Sequence, residues 1–124
     1  MKNLNPVCWF DIHVSNLEQA KTFYETVLDV TLTDLPISWG KQSTFPFEAQ
    51  GANTTGALVE MKDIKANGNN TIIYFESADC ITEQAKVEAA GGKLIRRKTP
   101  IGEFGFIALF SDLDGNTIGL HSRK

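Results

Sequence analysis

The chain has 124 residues, of which 42% are hydrophobic and 22% are charged, and its formal net charge is −3. This length and composition suit one globular domain, so we expect a single domain over residues 1–124. The small negative charge argues against nucleic-acid binding, and no apolar run approaches the roughly 20 residues that span a bilayer.

The N-terminal residues and the cysteines favour the cytoplasm. Residues 1–6 lack the apolar core of a signal peptide. Cys8 and Cys80 are isolated thiols without CxxC spacing, which predicts neither a zinc site nor a disulfide framework. The basic cluster at 96–98 is interpreted as a solvated strand end. We therefore expect a cytoplasmic protein with no nucleic-acid partner and no membrane partner.

The first half of the chain predicts a strand, a helix and three further strands. Alternating apolar and polar residues over 7–14 predict the first strand. One face of this strand carries Trp9, Asp11 and His13. Asn16 is a typical helix cap, and apolar residues recur at helical spacing from there to Leu28. The further strand candidates lie at 30–35, 37–47 and 55–61.

The same order of elements recurs after a turn-forming segment at 67–70. A strand is predicted at 71–76, followed by a helix at 81–90 that Gly91 and Gly92 end. The last strands are predicted at 93–98, 105–110 and 116–121.

The two halves also match residue by residue. The tetrapeptide EQAK at 18–21 recurs at 83–86, an offset of 65 residues. The same offset places Trp9 on Tyr74, Phe10 on Phe75 and Asp11 on Glu76. We infer an internal duplication, with βαβββ modules at about 5–65 and about 69–122. Together they predict an α+β fold: a curved, partly closed mixed β-sheet with the helices on the outside.

These features resemble the vicinal oxygen chelate superfamily, which includes glyoxalase I, bleomycin-resistance proteins and extradiol dioxygenases. Residues 14–28 are similar to its first strand-to-helix junction, and residues 89–92 to the end of its second helix. The sequence FSDLDGNTI at 110–118 is similar to its final hairpin, F-x-D-P-D-G-N. The resemblance implies paired βαβββ modules, often in a homodimer, with a ligand cup in the curved sheet. In the enzymes of this family, a divalent metal in the cup chelates two neighbouring oxygens of the substrate.

The resemblance also assigns positions to the metal ligands, and this chain departs from the pattern there. The first ligand position falls on Trp9, whose indole has no lone pair for a metal. The next falls within 71–74, which holds no His, Glu, Asp or Gln. Gly119 stands where a Glu is usual. We therefore expect no metal at this site and no cofactor.

Gly119 allows two interpretations. A glycine on the cup face lets a ligand approach the sheet backbone closely. Alternatively, Gly119 makes space for Trp9 or marks a β-bulge.

The resemblance and strand alternation together predict a ligand-binding cup. The candidate ligand-binding residues are Trp9, Asp11, His13, Trp39, Phe47, Tyr74, Glu76, Gly119 and His121. Aromatic faces can stack on planar ligands or hold a cation, with a carboxylate as counter-charge. In the alternative interpretation, Trp9 and Trp39 fill the cup as core residues, and the two histidines are ordinary exposed side chains.

Three functional hypotheses remain. The first is a metal-independent, homodimeric protein that binds a small organic ligand, aromatic or cationic. The second is an enzyme. It is either a metal-dependent lyase or dioxygenase with displaced ligands (Asp11, His13, Glu76 and His121), or a metal-free isomerase or hydrolase with Glu76 or His13 as general base. The third is an interaction protein whose cup is filled.

Overall fold

The computed structural model describes residues 9–35, 40–46, 55–62 and 71–124. The elements are β1 (Trp9–His13), α1 (Leu17–Leu28), β2 (Thr33–Leu35), β3 (Lys41–Thr44), β4 (Thr55–Glu60), β5 (Ile73–Glu76), α2 (Cys80–Gln84), β6 (Lys93–Pro100), a 3₁₀ turn (Gly102–Phe104), β7 (Phe106–Ser111) and β8 (Thr117–Ser122). The predicted order of one strand, one helix and three strands therefore occurs twice. The turn at 67–70, Cys8, Trp39 and Phe47 lie outside the described residues.

The strands form two four-stranded mixed sheets, ordered β1-β4-β3-β2 and β5-β8-β7-β6. In each sheet the first strand of the module runs parallel to the last, and the other pairs are antiparallel. The predicted α+β fold of two tandem βαβββ modules is confirmed. Within the described residues its strands are hydrogen-bonded as two open sheets that do not close.

The register repeats between the modules. Trp9 lies opposite Thr55 in the first sheet, and Tyr74 lies opposite Gly119 in the second. The offset of 65 residues that relates Trp9 to Tyr74 in the sequence therefore also relates their strand pairs.

The core lies between the sheets and the helices, and aromatic rings join the two modules. Tyr24 of α1 packs edge-on against Phe45, with ring centroids 5.7 Å apart. Phe10 of β1 and Phe75 of β5 meet with centroids 5.8 Å apart. Because β1 and β5 are edge strands of their sheets, this contact brings the two sheets together along those edges.

The hairpin between β7 and β8 fastens the second module to the first. Asp112 accepts hydrogen bonds from the Tyr24 hydroxyl at 2.8 Å and from the Asn116 amide at 2.9 Å. Asn116 also donates to the backbone carbonyl of His13 at 3.1 Å, and Asp114 accepts from the backbone N–H of Ser15 at 3.0 Å. The DLDGN segment therefore holds the end of β1, which is a structural task.

The second helix is shorter than the predicted 81–90. Regular α-helix ends at Gln84, after which the N–H groups of Lys86 and Gly91 bond to carbonyls three residues back. Such tightening is common at helix ends. Gly91 has φ of 104°, and the Gly92 N–H reaches the Val87 carbonyl at 3.0 Å, which is a Schellman arrangement. The chain therefore keeps winding and stops at the predicted glycines.

Asp79 begins α2 and holds the predicted basic cluster in part. Its carboxylate accepts from the Ile81 N–H at 3.1 Å and pairs with Lys98 at 2.9 Å. The Lys98 ammonium lowers the pKa of Asp79, and the Ile81 N–H adds to the effect. Arg96 and Arg97 are exposed, as expected, whereas Lys98 is partly covered. Within the described ranges, no helix has the length and apolar character that a membrane crossing requires.

Candidate functional site

Strand alternation separates a core face from a face turned away from the helices, which we call the cup face. In β1, Ile12 is buried in the core, so Trp9, Asp11 and His13 lie on the cup face. In β5, Phe75 packs on the core, so Tyr74 and Glu76 lie on the cup face. Since β1 and β5 adjoin, these two sets of side chains rise from neighbouring strands.

Tyr74 occupies the space above Gly119. A Cβ built on Gly119 would overlap the Tyr74 ring, 2.8 Å from Cγ and 2.5 Å from Cε2, and closer still to Cδ2. The ring therefore lies flat across β8 where a side chain at 119 would stand. Gly119 makes space for an aromatic ring, but for Tyr74 of its own sheet and not for Trp9. Tyr74 keeps 45% of its surface exposed, which leaves its other ring face open.

Trp9 is the counterpart of Tyr74 in the first module. Its indole is 42% exposed, and its Nε1 donates to Asp11 Oδ1 at 2.9 Å. Thr55, opposite Trp9, was missed by the sequence analysis. Its hydroxyl donates to the Phe45 carbonyl at 3.2 Å. The offset between the modules could have found it, because Thr55 corresponds to Gly119.

These residues do not fit a divalent metal. A tetrahedral or octahedral site needs several carboxylate, imidazole or thiolate donors. At the family's positions, Trp9 and Gly119 supply no donor, and the Tyr74 ring lies flat on the sheet. Among the described residues, no three His, Cys, Asp or Glu side chains are grouped so that they could hold a metal ion. The displaced set of Asp11, His13, Glu76 and His121 is included in that statement.

Glu76 and His121 meet as a pair. His121 Nδ1 lies 2.8 Å from Glu76 Oε1, and the side chains are 25% and 71% exposed, respectively. The strand register explains the contact, since Glu76 of β5 lies directly opposite His121 of β8. Asp11 matches Glu76 in the offset of 65 residues, so each module presents one carboxylate beside a ring N–H on the cup face.

His13 takes part in neither pair. Its Nδ1 is buried without a hydrogen-bond partner, and so is Nε2 of Gln42 on β3. Gln42 was also missed, because the polar strand sequence KQST at 41–44 gives no sign that its glutamine is buried. The structure thus brings together Trp9 with Asp11, Tyr74 with Gly119, and Glu76 with His121. Trp39 and Phe47, the other candidates, lie outside the described residues.

Comparisons with known proteins agree with this architecture. TnmS3, an antibiotic-binding protein from Streptomyces sp. CB03234, is similar at 25% identity over 100% of both chains, with a TM-score of 0.73. A glyoxalase/bleomycin resistance protein from the same organism is similar at 26% identity over 93% of this chain and 98% of that one, with a TM-score of 0.71.

Glyoxalase I from Zea mays shares the fold at 23% identity, with a TM-score of 0.74. The match covers 95% of this chain and 46% of the maize chain, so this chain spans about half of that enzyme. No curated protein matches the chain significantly. The model of the Glyoxalase/Bleomycin resistance protein/Dioxygenase superfamily matches residues 7–120, and the chain belongs to this superfamily.

Proposed function

We propose that this protein binds a small organic ligand, aromatic or cationic, on its cup face, and that it does so without a metal ion. The observation that carries the proposal is the Tyr74 ring over Gly119. The position where the family's enzymes place a carboxylate ligand is covered here by an aromatic surface that stays open on one side.

The neighbouring groups suit such a ligand. Trp9 and Tyr74 present two exposed aromatic side chains from adjoining strands. Aromatic faces attract planar rings and cations, and a cation within about 6 Å of a ring centroid gains further attraction. Asp11 and Glu76 stand two residues further along the same strands and supply negative charge on the same face. The resemblance to TnmS3, which binds an antibiotic, supports the same class of ligand.

The proposal is tested by tryptophan fluorescence during titration with a panel of planar aromatic amines and their neutral analogues. We expect a saturable change for at least one compound, and the Trp9→Phe variant should lose most of it. Tyr74→Ala should weaken the affinity roughly 2-fold to 10-fold, the range expected for one aromatic contact.

Ile81→Ala is the matched control, because Ile81 is an exposed apolar side chain on α2, away from the cup face. Its affinity should equal that of the wild type. The proposal fails if no compound in the panel gives a saturable change, or if Trp9→Phe and Tyr74→Ala bind as the wild type does. A homodimer and a cytoplasmic location remain part of the proposal.

The Glu76–His121 contact favours a second candidate function, a metal-free isomerase or hydrolase. A carboxylate beside an imidazole can accept a proton from a bound substrate, which is general-base catalysis. Ligands found by fluorescence are incubated with the protein and followed by NMR. Conversion that disappears in Glu76→Gln while binding persists would support this candidate. Ligands that remain unchanged would leave the binding function alone.

A further inference from the structure

Two buried polar atoms without partners lie in one row of the first sheet. The register places His13 of β1 opposite Val59 of β4, and Val59 opposite Gln42 of β3. Paired residues point to the same face of a sheet, so all three lie on the cup face with Trp9 and Asp11. Strand spacing puts the His13 and Gln42 backbones roughly 10 Å apart, with Val59 between them.

These atoms are exceptions among the described residues. His13 Nδ1 and Gln42 Nε2 are the buried side-chain nitrogen or oxygen atoms there that have no hydrogen-bond partner. Gln42 is only 4% exposed, so solvent hardly reaches it. Burying a polar group without a partner costs free energy, and native proteins seldom keep such a group without a reason. A ligand that accepts these hydrogen bonds would supply one.

The surroundings select the ligand's chemistry. The middle of the row is apolar, since Val59 and its neighbour Ala57 are fully buried. The Gln42 amide nitrogen is a donor and therefore calls for an acceptor oxygen. Asp11 stands on the same face of β1, two residues or about 7 Å from His13, and its negative charge disfavours an anionic group there. A neutral carbonyl meets both conditions.

We infer that His13 and Gln42 form a polar subsite that binds a neutral carbonyl group of the ligand, such as an amide or a ketone. The inference rests on the proposed function and makes it more specific: the ligand carries an aromatic ring for Trp9 and Tyr74 and a carbonyl oxygen for Gln42. The imidazole of His13 supplies the second hydrogen bond of the subsite.

The probes are three compounds with one ring system: 2-naphthamide, 2-naphthoate and 2-methylnaphthalene. Binding is measured by tryptophan fluorescence, and the contact by ¹⁵N NMR signals of the Gln42 side-chain amide and the His13 ring. We expect 2-naphthamide to bind best and to shift both sets of signals. Gln42→Met should weaken its binding roughly fivefold, the value of one hydrogen bond, and leave 2-methylnaphthalene unaffected.

Stability gives a readout that needs no ligand. Gln42→Met keeps the length of the side chain and removes the unpartnered amide, so the urea midpoint of unfolding should rise. Gln84→Met is the matched control, because Gln84 Oε1 accepts from the Lys98 N–H at 2.6 Å. That variant should lose stability and bind the probes unchanged.

The outcomes separate the two proposals. Equal binding of the three probes, with the Gln42 and His13 signals unmoved, overturns the carbonyl subsite and leaves the aromatic site standing. Failure of all three probes to bind counts against both proposals. A fall in the urea midpoint of Gln42→Met as large as that of Gln84→Met also overturns the inference, because it would show that the Gln42 amide is already satisfied.

Discussion

At the scale of single residues, Gly119 and Tyr74 act as one unit. A glycine inside a strand loses packing and backbone entropy, so its presence in β8 needs a compensating contact. The Tyr74 ring supplies that contact by lying where a side chain at 119 would be. The sequence analysis placed Gly119 on the cup face but could not choose between its two interpretations, because the choice depends on the rotamer of a residue on another strand.

Gly119→Ala should displace the Tyr74 ring. Overpacking of this kind costs about 1–3 kcal/mol, which urea unfolding measures. In the Tyr74→Ala background the clash disappears, so the same change should cost less there, and the double-mutant cycle should show coupling. If the two changes are additive, the ring does not rest on Gly119.

Tyr24 links the core to the hairpin through a single buried hydroxyl. Its ring is fully buried, and burial raises the pKa of Tyr24 well above its usual value, with the nearby Asp112 charge adding to the effect. A folded-state pKa above the unfolded one gives stability that is present at lower pH. This stability is lost as the pH rises past the unfolded value of about 10.

The free energy of unfolding should therefore fall steeply above about pH 10, and Tyr24→Phe should make that fall shallower. The same change should cost about 1.5–3 kcal/mol at neutral pH, because Asp112 loses a hydrogen bond to a charged group. Tyr74→Phe is the matched control, since Tyr74 is exposed and should leave the alkaline slope unchanged. Equal alkaline slopes for the wild type and Tyr24→Phe would contradict the prediction.

At the scale of elements, the hairpin between β7 and β8 is the main polar connection between the modules. Asn116 is buried and joins Asp112 of its own turn to the His13 carbonyl at the end of β1. The final-hairpin motif of the family therefore has a structural explanation in this chain. It fixes where β1 ends, and with it the strand that carries three cup-face residues.

Asn116→Ala should cost about 2 kcal/mol, since two hydrogen bonds are lost at about 1 kcal/mol each. The control is Asn16→Ala, which removes only the cap of α1, where Asn16 Oδ1 accepts from the Gln19 N–H at 3.0 Å. That change should cost about 1 kcal/mol. Chemical denaturation measures both values. An Asn116 variant no less stable than the Asn16 variant would mean that the hairpin does not fasten β1.

Local signals predicted the elements better than their ends. The Asn16 cap and the Gly91–Gly92 stop are short-range features, and the structure confirms both. The change from α-helix to tighter turns after Gln84 was not predictable, because a helix and a series of tight turns share nearly the same apolar spacing. The separation into two sheets depends on hydrogen bonding between distant strands, which periodicity does not report.

At the scale of the whole molecule, the duplication carried the site prediction furthest. It identified Tyr74 as the partner of Trp9 before any register was known. It did not predict that Glu76 would meet His121 or that Asp11 would bond Trp9, because these contacts depend on side-chain conformation. Gln42 could not be found from sequence either, since a polar residue in a short polar strand is usually exposed.

The central claim is that an aromatic surface replaces the family's metal site, and metal content tests it most directly. The protein is purified without a chelator or an affinity tag, exposed to Ni²⁺, Zn²⁺, Mn²⁺ or Fe²⁺, dialysed and submitted to elemental analysis. We predict far less than one metal ion per chain for each of them, because Trp9, Thr55, Tyr74 and Gly119 offer no adequate donor set. One tightly held divalent ion per chain would contradict the account and favour a metal-dependent enzyme.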